Sequence, residues 1–137
     1  MSIILTNCFI AVHDHDQALA FYRDALGLEV RNDVKYEGMR WVSVGPVSQP
    51  EVTIVLEPPL ADPGAPAGDR KTMEEMLAKG FLRGVNFAVE DLDATFERVR
   101  AAGGEVMQEP MDMAYGTRDC AFRDPSGNMI RISQKKK

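Results

Sequence analysis

The apolar residues of this chain follow strand spacing in some segments and helical spacing in others. Residues 3–12 are rich in apolar and β-branched side chains, which predicts a first strand. The apolar residues that follow recur at helical spacing, which predicts a helix with one buried side. These residues are Ala18, Phe21, Tyr22, Ala25 and Leu26. Asp14 or Asp16 can cap this helix, and Gly27 stands where a left-handed residue would end it.

Three more strands, a linker and a short helix follow. The strands are predicted at 28–32, 39–44 and 52–56. Residues 58–68 contain four prolines and two glycines, so this segment is predicted to be a linker. Thr72 and Glu75 have the spacing of a capping box, which predicts a short helix that ends at Gly80.

The second half of the chain repeats the pattern of the first. Residues 84–89 predict a strand, and apolar residues at helical spacing follow it. Three further strands are predicted at 105–108, 117–122 and 128–134. Ala11-Val12-x-Asp14-x-Asp16 matches Ala88-Val89-x-Asp91-x-Asp93, and Gly38-x-Arg40 matches Gly116-x-Arg118. Because the order strand, helix, three strands occurs twice, the sequence predicts two tandem βαβββ modules.

The chain length supports one domain built from these modules. At 137 residues the chain can bury one core and is too short for two ordinary domains. We assign module one to residues 1–57, the linker and short helix to 58–81, and module two to 82–137. A four-stranded sheet with one helix leaves one face uncovered. We therefore expect an α+β fold whose two mixed sheets curl around a central cleft, which is the expected ligand site.

Composition and charge exclude several classes of partner. The net charge of −5 argues against nucleic acid, and the only basic run, at 135–137, is expected to be a solvated tail. No apolar run is long enough for a membrane helix. The first residues lack a basic segment and a cleavage site, so they predict a strand rather than a signal peptide. Cys8 and Cys120 lie in apolar runs and are expected to be reduced, as in a cytoplasmic protein.

Two motifs occur at the spacing of a known family. The first helix and the next strand contain Phe21-Tyr22, Leu26-Gly27 and Glu29-Val30, and Asp124-Pro125-Ser126-Gly127-Asn128 precedes the last strand. Together they resemble the vicinal oxygen chelate superfamily of glyoxalases, bleomycin resistance proteins and extradiol dioxygenases. The resemblance implies two βαβββ modules, a homodimer, and a cleft that holds a divalent metal in the enzymes. Whether the paired modules come from one chain or two stays open.

The resemblance also implies where metal ligands would lie. The first-strand positions are Asn7 and Gly84, and the last-strand positions are Val55 and Arg131. Glycine and valine have no side-chain donor, asparagine is a weak oxygen ligand, and arginine repels a cation. If the register near Val55 shifts by one pleat, Glu57 faces the cleft and adds one carboxylate. We therefore predict no cofactor, and a divalent metal belongs only to an alternative hypothesis.

The other residues expected to line the cleft are Phe9, Asn86, Trp41 and Tyr115. For the two aromatic wall candidates, Trp41 and Tyr115, a place in the core or a dimer interface is an equal alternative. Arg131 is flanked by Ile130 and Ile132, so strand alternation turns its guanidinium the other way, toward the cleft. There it can bind a carboxylate, a phosphate or a polar oxygen, or form a salt bridge with Glu57 or another acid.

Three functional hypotheses follow from the scaffold and its altered ligand positions. The first is a protein that binds a small organic molecule in the cleft without metal, similar to the bleomycin resistance branch. The second is a metal-dependent lyase, epimerase or dioxygenase with an unusual site, or acid–base chemistry on Glu57. The third is a dimeric interaction module whose cleft is filled by its own side chains. No catalytic residue is assigned, because no nucleophile–base pair stands out.

Overall fold

The computed structural model describes residues 2–135, which form two four-stranded sheets and three helical regions. In chain order the elements are β1 (Asn7–Ala11), α1 (His15–Leu19) continued by a π-helical segment (Ala20–Ala25), β2 (Glu29–Tyr36), β3 (Met39–Gly45), β4 (Thr53–Glu57), α2 (Ala67–Ala78), β5 (Arg83–Val89), α3 (Leu92–Ala101), β6 (Glu105–Asp112), β7 (Arg118–Arg123) and β8 (Met129–Gln134). No helix within residues 2–135 is long and apolar enough to cross a membrane.

The two sheets have the same topology, which confirms the repeat and the α+β fold. Sheet 1 has the order β1-β4-β3-β2 and sheet 2 has the order β5-β8-β7-β6. In each sheet the first strand pairs in parallel with the last strand of its module, and the remaining pairs are antiparallel. A parallel pair needs a long crossover connection, which the module's helix and hairpin supply.

The helix-bearing faces of both sheets form one continuous core. From module one the core contains Ile10, Val44, Ile54 and Leu56, and from module two it contains Leu92, Phe96, Phe122 and Ile130. Tyr22, in the π-helical segment, is fully buried in this core. Each sheet alone would leave an apolar face uncovered. The modules of one chain therefore cover each other through their helices, and the opposite face of each sheet is left open.

The turn before β8 fastens the modules together. Asp124 is 3% exposed, and its Oδ1 accepts hydrogen bonds from the backbone N–H groups of Ser126, Gly127 and Asn128, each at 2.9 Å. Its Oδ2 accepts from the Tyr22 hydroxyl at 2.5 Å. The Asn128 amide donates to the Ala11 carbonyl at 2.7 Å. The Asp-Pro-x-Gly-Asn motif is thus a junction between modules.

The ends of α1 agree with the sequence prediction, whereas the start of α2 does not. Asp14 caps α1 by accepting from the Gln17 N–H at 2.9 Å, and Gly27 has φ 83, both as predicted. The predicted capping box at Thr72 is wrong, because α2 begins earlier, after Pro66. The Thr72 hydroxyl donates to the Gly68 carbonyl within the helix instead. The linker prediction consequently extended two residues too far, to Gly68.

Three strands have a boundary that differs from the prediction by more than one residue. The first strand begins at Asn7 rather than Ile3, and the residues before it are exposed. β2 and β6 each continue several residues past their apolar runs, because cross-strand pairing with β3 and β7 carries them on. Lys135 is exposed, whereas the rest of the predicted basic tail, 136–137, lies outside the described residues.

Candidate functional site

Strand alternation gives the open faces of the two sheets different chemistry. The open face of sheet 1 is defined by Asn7, Phe9, Trp41, Val55 and Glu57, together with their neighbours on the same side of the strands. Phe9 is 59% exposed and Trp41 is 48% exposed. Apart from Asn7 and Glu57, the defining side chains are apolar. Sheet 1 therefore presents an aromatic, largely apolar surface to solvent.

Strand register brings the residues predicted for this surface together. Phe9 pairs with Val55 in the parallel ladder, and Ala11 pairs with Glu57. The antiparallel ladder pairs Val42 with Leu56, so Trp41 lies opposite Glu57. Val55 and Glu57 therefore face the same side, and Glu57 is available there without the register shift considered from the sequence.

The open face of sheet 2 is polar and contains a buried carboxylate. Its central row runs through Asn86, Arg131, Ala121 and Gln108. In the adjacent row Asp119 is 1% exposed. The Asp119 carboxylate accepts hydrogen bonds from the Tyr115 hydroxyl at 2.5 Å, the Gln108 amide at 2.8 Å and the Arg131 Nη1 at 3.0 Å. This set of four side chains is called the Asp119 network below.

Arg131 has the orientation that the sequence predicts. Ile130 and Ile132 are completely buried on the helix side, and the guanidinium lies on the open face. The sequence left two roles open for Arg131, which were to bind a ligand oxygen and to form a salt bridge. Its salt-bridge partner is Asp119 rather than Glu57, and its Nη1 also donates to the Gln108 Oε1 at 3.1 Å. The Nε and Nη2 atoms make no hydrogen bond with any residue between 2 and 135.

The Asp119 network shifts the pKa values of Asp119 and Tyr115. Burial alone would raise the pKa of Asp119, but hydrogen bonds from Tyr115 and Gln108 and the charge of Arg131 outweigh it, so the pKa is lowered. The same hydrogen bond raises the pKa of the Tyr115 hydroxyl, since losing its proton would place two negative oxygens together. Asp119 is therefore an ionised acceptor and Tyr115 a neutral donor.

A pocket of about 430 Å³ lies beside Arg131 at the β5 edge of sheet 2. Gly84 and Asn86, both predicted site residues, line it. A Cβ at Gly84 would overlap the Met129 carbonyl oxygen, so only glycine permits this approach of β5 to β8. The sequence pattern missed the pocket's Phe81 and Arg83, and it also missed Asp119 and Gln108. One signal could have identified Asp119. It directly precedes Cys120, which is buried on β7, so strand alternation turns the Asp119 side chain toward the open face.

The residues at the implied metal positions do not fit a divalent cation. Asn7 and Val55 lie on one sheet and Gly84 and Arg131 on the other. They offer one amide, two positions without a donor and a guanidinium. Among residues 2–135, no three His, Cys, Asp or Glu side chains lie close enough together to hold a metal. His15 Nε2 lies 3.0 Å from the Leu56 carbonyl oxygen.

The sequence was compared with models of protein families, and the family model of the Glyoxalase/Bleomycin resistance protein/Dioxygenase superfamily matches residues 4–132. The chain belongs to this superfamily. The superfamily's repeated modules are the two sheets described above, and Tyr22 of one motif donates a hydrogen bond to Asp124 of the other at their junction.

Proteins that are similar to this chain include an antibiotic binding protein and a probable lactoylglutathione lyase. The sequence of UcmS2, a protein of known crystal structure, is 38% identical to this chain. The two structures match with a TM-score of 0.85 over 97% of this chain and 98% of UcmS2. TnmS3 from Streptomyces sp. CB03234, described as an antibiotic binding protein, is 26% identical with a TM-score of 0.75, covering 99% of each chain. A probable lactoylglutathione lyase from Synechocystis sp. (strain ATCC 27184 / PCC 6803 / Kazusa) is 29% identical, over 96% of this chain and 95% of that protein.

Proposed function

We propose that this protein binds a small organic molecule on the open faces of its sheets, without a metal. The observation that carries the proposal is the Asp119 network. A buried carboxylate with three hydrogen bonds holds Arg131 on an otherwise open surface, at a position where the resemblance implies a metal ligand in the superfamily's enzymes. Such preorganised polar groups beside apolar surface are typical of ligand sites. The similarity to TnmS3, an antibiotic binding protein, supports the same function.

A second copy of the chain would complete the site. In one chain the open faces do not cover each other, since Phe9, Trp41 and Tyr115 are each about half exposed or more. We propose a homodimer in which the open face of sheet 1 from one copy meets the open face of sheet 2 from the other. The ligand would then lie between an aromatic wall and a polar wall. We also propose a cytoplasmic location, in which the thiols of Cys8 and Cys120 stay reduced.

The single tryptophan, Trp41, provides a direct test because it lies on the proposed wall. We would titrate the purified protein with a panel of planar polycyclic compounds and follow tryptophan fluorescence before and after EDTA treatment. We expect saturable quenching by at least one compound, with unchanged affinity after chelation. If no compound in the panel changes the fluorescence or the Tm, the proposal is wrong.

The lyase hypothesis has support in the named relative from Synechocystis. It predicts turnover of a glutathione hemithioacetal when Ni²⁺, Zn²⁺, Mn²⁺ or Fe²⁺ is added, and loss of that turnover with chelator. The missing donors at Gly84 and Val55 argue against this outcome. Metal-dependent turnover would replace binding as the function. A cleft filled by side chains, the third hypothesis, would give neither quenching nor turnover.

A further inference from the structure

The hydrogen bonds of Arg131 leave one specific edge of its guanidinium available. Nη1 carries two hydrogens, and it donates to Asp119 at 3.0 Å and Gln108 at 3.1 Å. The remaining donors are the Nε–H and the Nη2 hydrogens, which lie along one side of the planar group. This side matches the two oxygens of a carboxylate in a bidentate arrangement. The side chain is 29% exposed and lines the pocket at the β5 edge of sheet 2.

The Asp119 network fixes this edge in position. A free arginine side chain loses considerable rotamer entropy when it binds an anion. Arg131 is already held by a carboxylate that is itself held by Tyr115 and Gln108. Asp119 offsets the charge of Arg131, but it occupies only the Nη1 end. The network therefore orients the guanidinium without using its carboxylate-binding edge.

The pocket beside Arg131 has positive charge and apolar walls. It is lined by Arg83 and Asn86 as well as Arg131, and by the apolar side chains of Phe81, Leu82 and Met129. None of its lining residues is acidic. Arg83 makes no hydrogen bond or ion pair with any residue in the range 2–135. With Asp119 included, the pocket retains about one unit of net positive charge, which favours an anion.

We infer that this pocket binds the carboxylate of a small aromatic or apolar acid, with Arg131 holding both carboxylate oxygens and Phe81 and Met129 contacting the apolar body. The inference rests on the proposed function and specifies its ligand class. The volume of about 430 Å³ suits a molecule with one or two fused rings. Asn86 lies beside Arg131 in the ladder and can donate a further hydrogen bond.

Three matched probes test the charge and the shape of the anion. Isothermal titration calorimetry with the full chain would compare 2-naphthoate, 2-naphthamide and 2-naphthyl phosphate. We expect 2-naphthoate to bind at least about tenfold more tightly than the amide, because charge-assisted hydrogen bonds are lost in the amide. Equal affinity for acid and amide would overturn the inference. Tighter binding of the phosphate than of the carboxylate would also overturn it.

Three substitutions test the residues. Arg131→Lys keeps the charge beside Asp119 but loses the bidentate edge, and it is expected to weaken naphthoate binding about tenfold. Arg83→Gln removes the charge of an exposed side chain that has no partner in residues 2–135, and it is expected to weaken naphthoate binding a few-fold. Arg100→Gln, on the exposed side of α3 and paired with Glu97, serves as the control and should leave the affinity unchanged. If both pocket variants keep the full preference for acid over amide, the pocket is not the site.

Failure of this inference can be separated from failure of the proposed function. If neutral members of the polycyclic panel quench Trp41 while naphthoate has no advantage over naphthamide, the ligand is not an acid and the proposed function stands. If neither the probes nor the panel bind, both are overturned.

Discussion

Corresponding residues on the open faces of the two modules can differ in their chemistry. The matching Gly38-x-Arg40 and Gly116-x-Arg118 segments place Trp41 of sheet 1 in correspondence with Asp119 of sheet 2. An exposed indole in one module thus corresponds to a buried carboxylate in the other. Two such surfaces cannot bind the same part of a ligand, since one offers apolar contact and the other offers charge and hydrogen bonds.

Asp119→Asn is expected to destabilise the fold by about 1–3 kcal/mol at neutral pH. The three partners of Asp119 all donate hydrogen bonds, and an asparagine amide can accept on only one atom. Urea unfolding followed by circular dichroism measures this difference. Asp112→Asn, at an acid that is 87% exposed on the neighbouring strand, is the control and should change the free energy of unfolding very little.

The contribution of Asp119 also depends on pH. Because folding lowers the pKa of Asp119, its stabilisation is fully present above the ordinary carboxyl pKa of the unfolded chain. It is lost as the pH falls through the lower pKa of the folded state. The difference in unfolding free energy between wild type and Asp119→Asn should therefore shrink below about pH 4. A difference that stays constant from pH 7 to pH 3 would contradict this account.

Tyr22→Phe removes one hydrogen bond from the junction between modules. The Tyr22 hydroxyl donates to Asp124 at 2.5 Å in the core. Without this hydrogen bond, the free energy of unfolding should be lower by about 1.5–3 kcal/mol. Tyr36→Phe is the matched control, since Tyr36 is 69% exposed on β2. Equal effects of the two substitutions would show that the buried hydroxyl contributes nothing.

At the scale of elements, the β7–β8 turn and the end of α2 approach each other closely. A Cβ on Gly127 would overlap the Leu77 carbonyl oxygen, and the residue has φ 118. Gly127→Ala is therefore expected to cost about 3 kcal/mol or more, from backbone strain and from displacement of α2. Thermal and urea unfolding measure the loss.

Gly116→Ala separates these two causes. Gly116 also has a left-handed φ, of 92, but apart from Gly116 and its two chain neighbours no atom of the described residues lies within 4 Å of the position that an alanine methyl group would take there. Its substitution should cost only about 1 kcal/mol, the strain of that backbone conformation. If the two glycine variants were equally stable, the contact with Leu77 would have no role.

The elements that the sequence predicted well are those with a strong local signal. The α1 cap at Asp14, the glycine at Gly27 and the alternation around Arg131 all follow from neighbouring residues. The ends of β2 and β6 did not, because pairing with another strand extends them. The sequence offered a salt bridge of Arg131 with Glu57 or another acid, but for the same reason it could not single out Asp119. Asp119 lies in the adjacent row of the sheet, and only the register of β7 against β8 brings the two side chains together.

At the scale of the whole molecule, the exposed aromatic side chains predict self-association. We expect light scattering to give twice the 15.2 kDa mass of one chain, and a Tm that rises with protein concentration. Phe9→Lys places a charge on the open face of sheet 1 and should shift the protein toward monomer. Met76→Lys, on α2, is the control and should leave the dimer unchanged. A wild-type monomer at micromolar concentration, with a Tm independent of concentration, would rule out the homodimer.

The packing of the modules through their helices has a consequence for how this chain tolerates change. Substitutions on the helix side disturb a close-packed interior shared by both modules, so most would be costly. On the open faces, residues such as Val55 and Phe9 lie outside that interior and are not needed for it. A library randomised on the open face of sheet 1 should thus yield mostly folded variants, whereas on sheet 2 Asp119 and its partners must be kept. The wall of sheet 1 can be redesigned while that of sheet 2 keeps its chemistry, which makes the chain a scaffold for new ligand specificities.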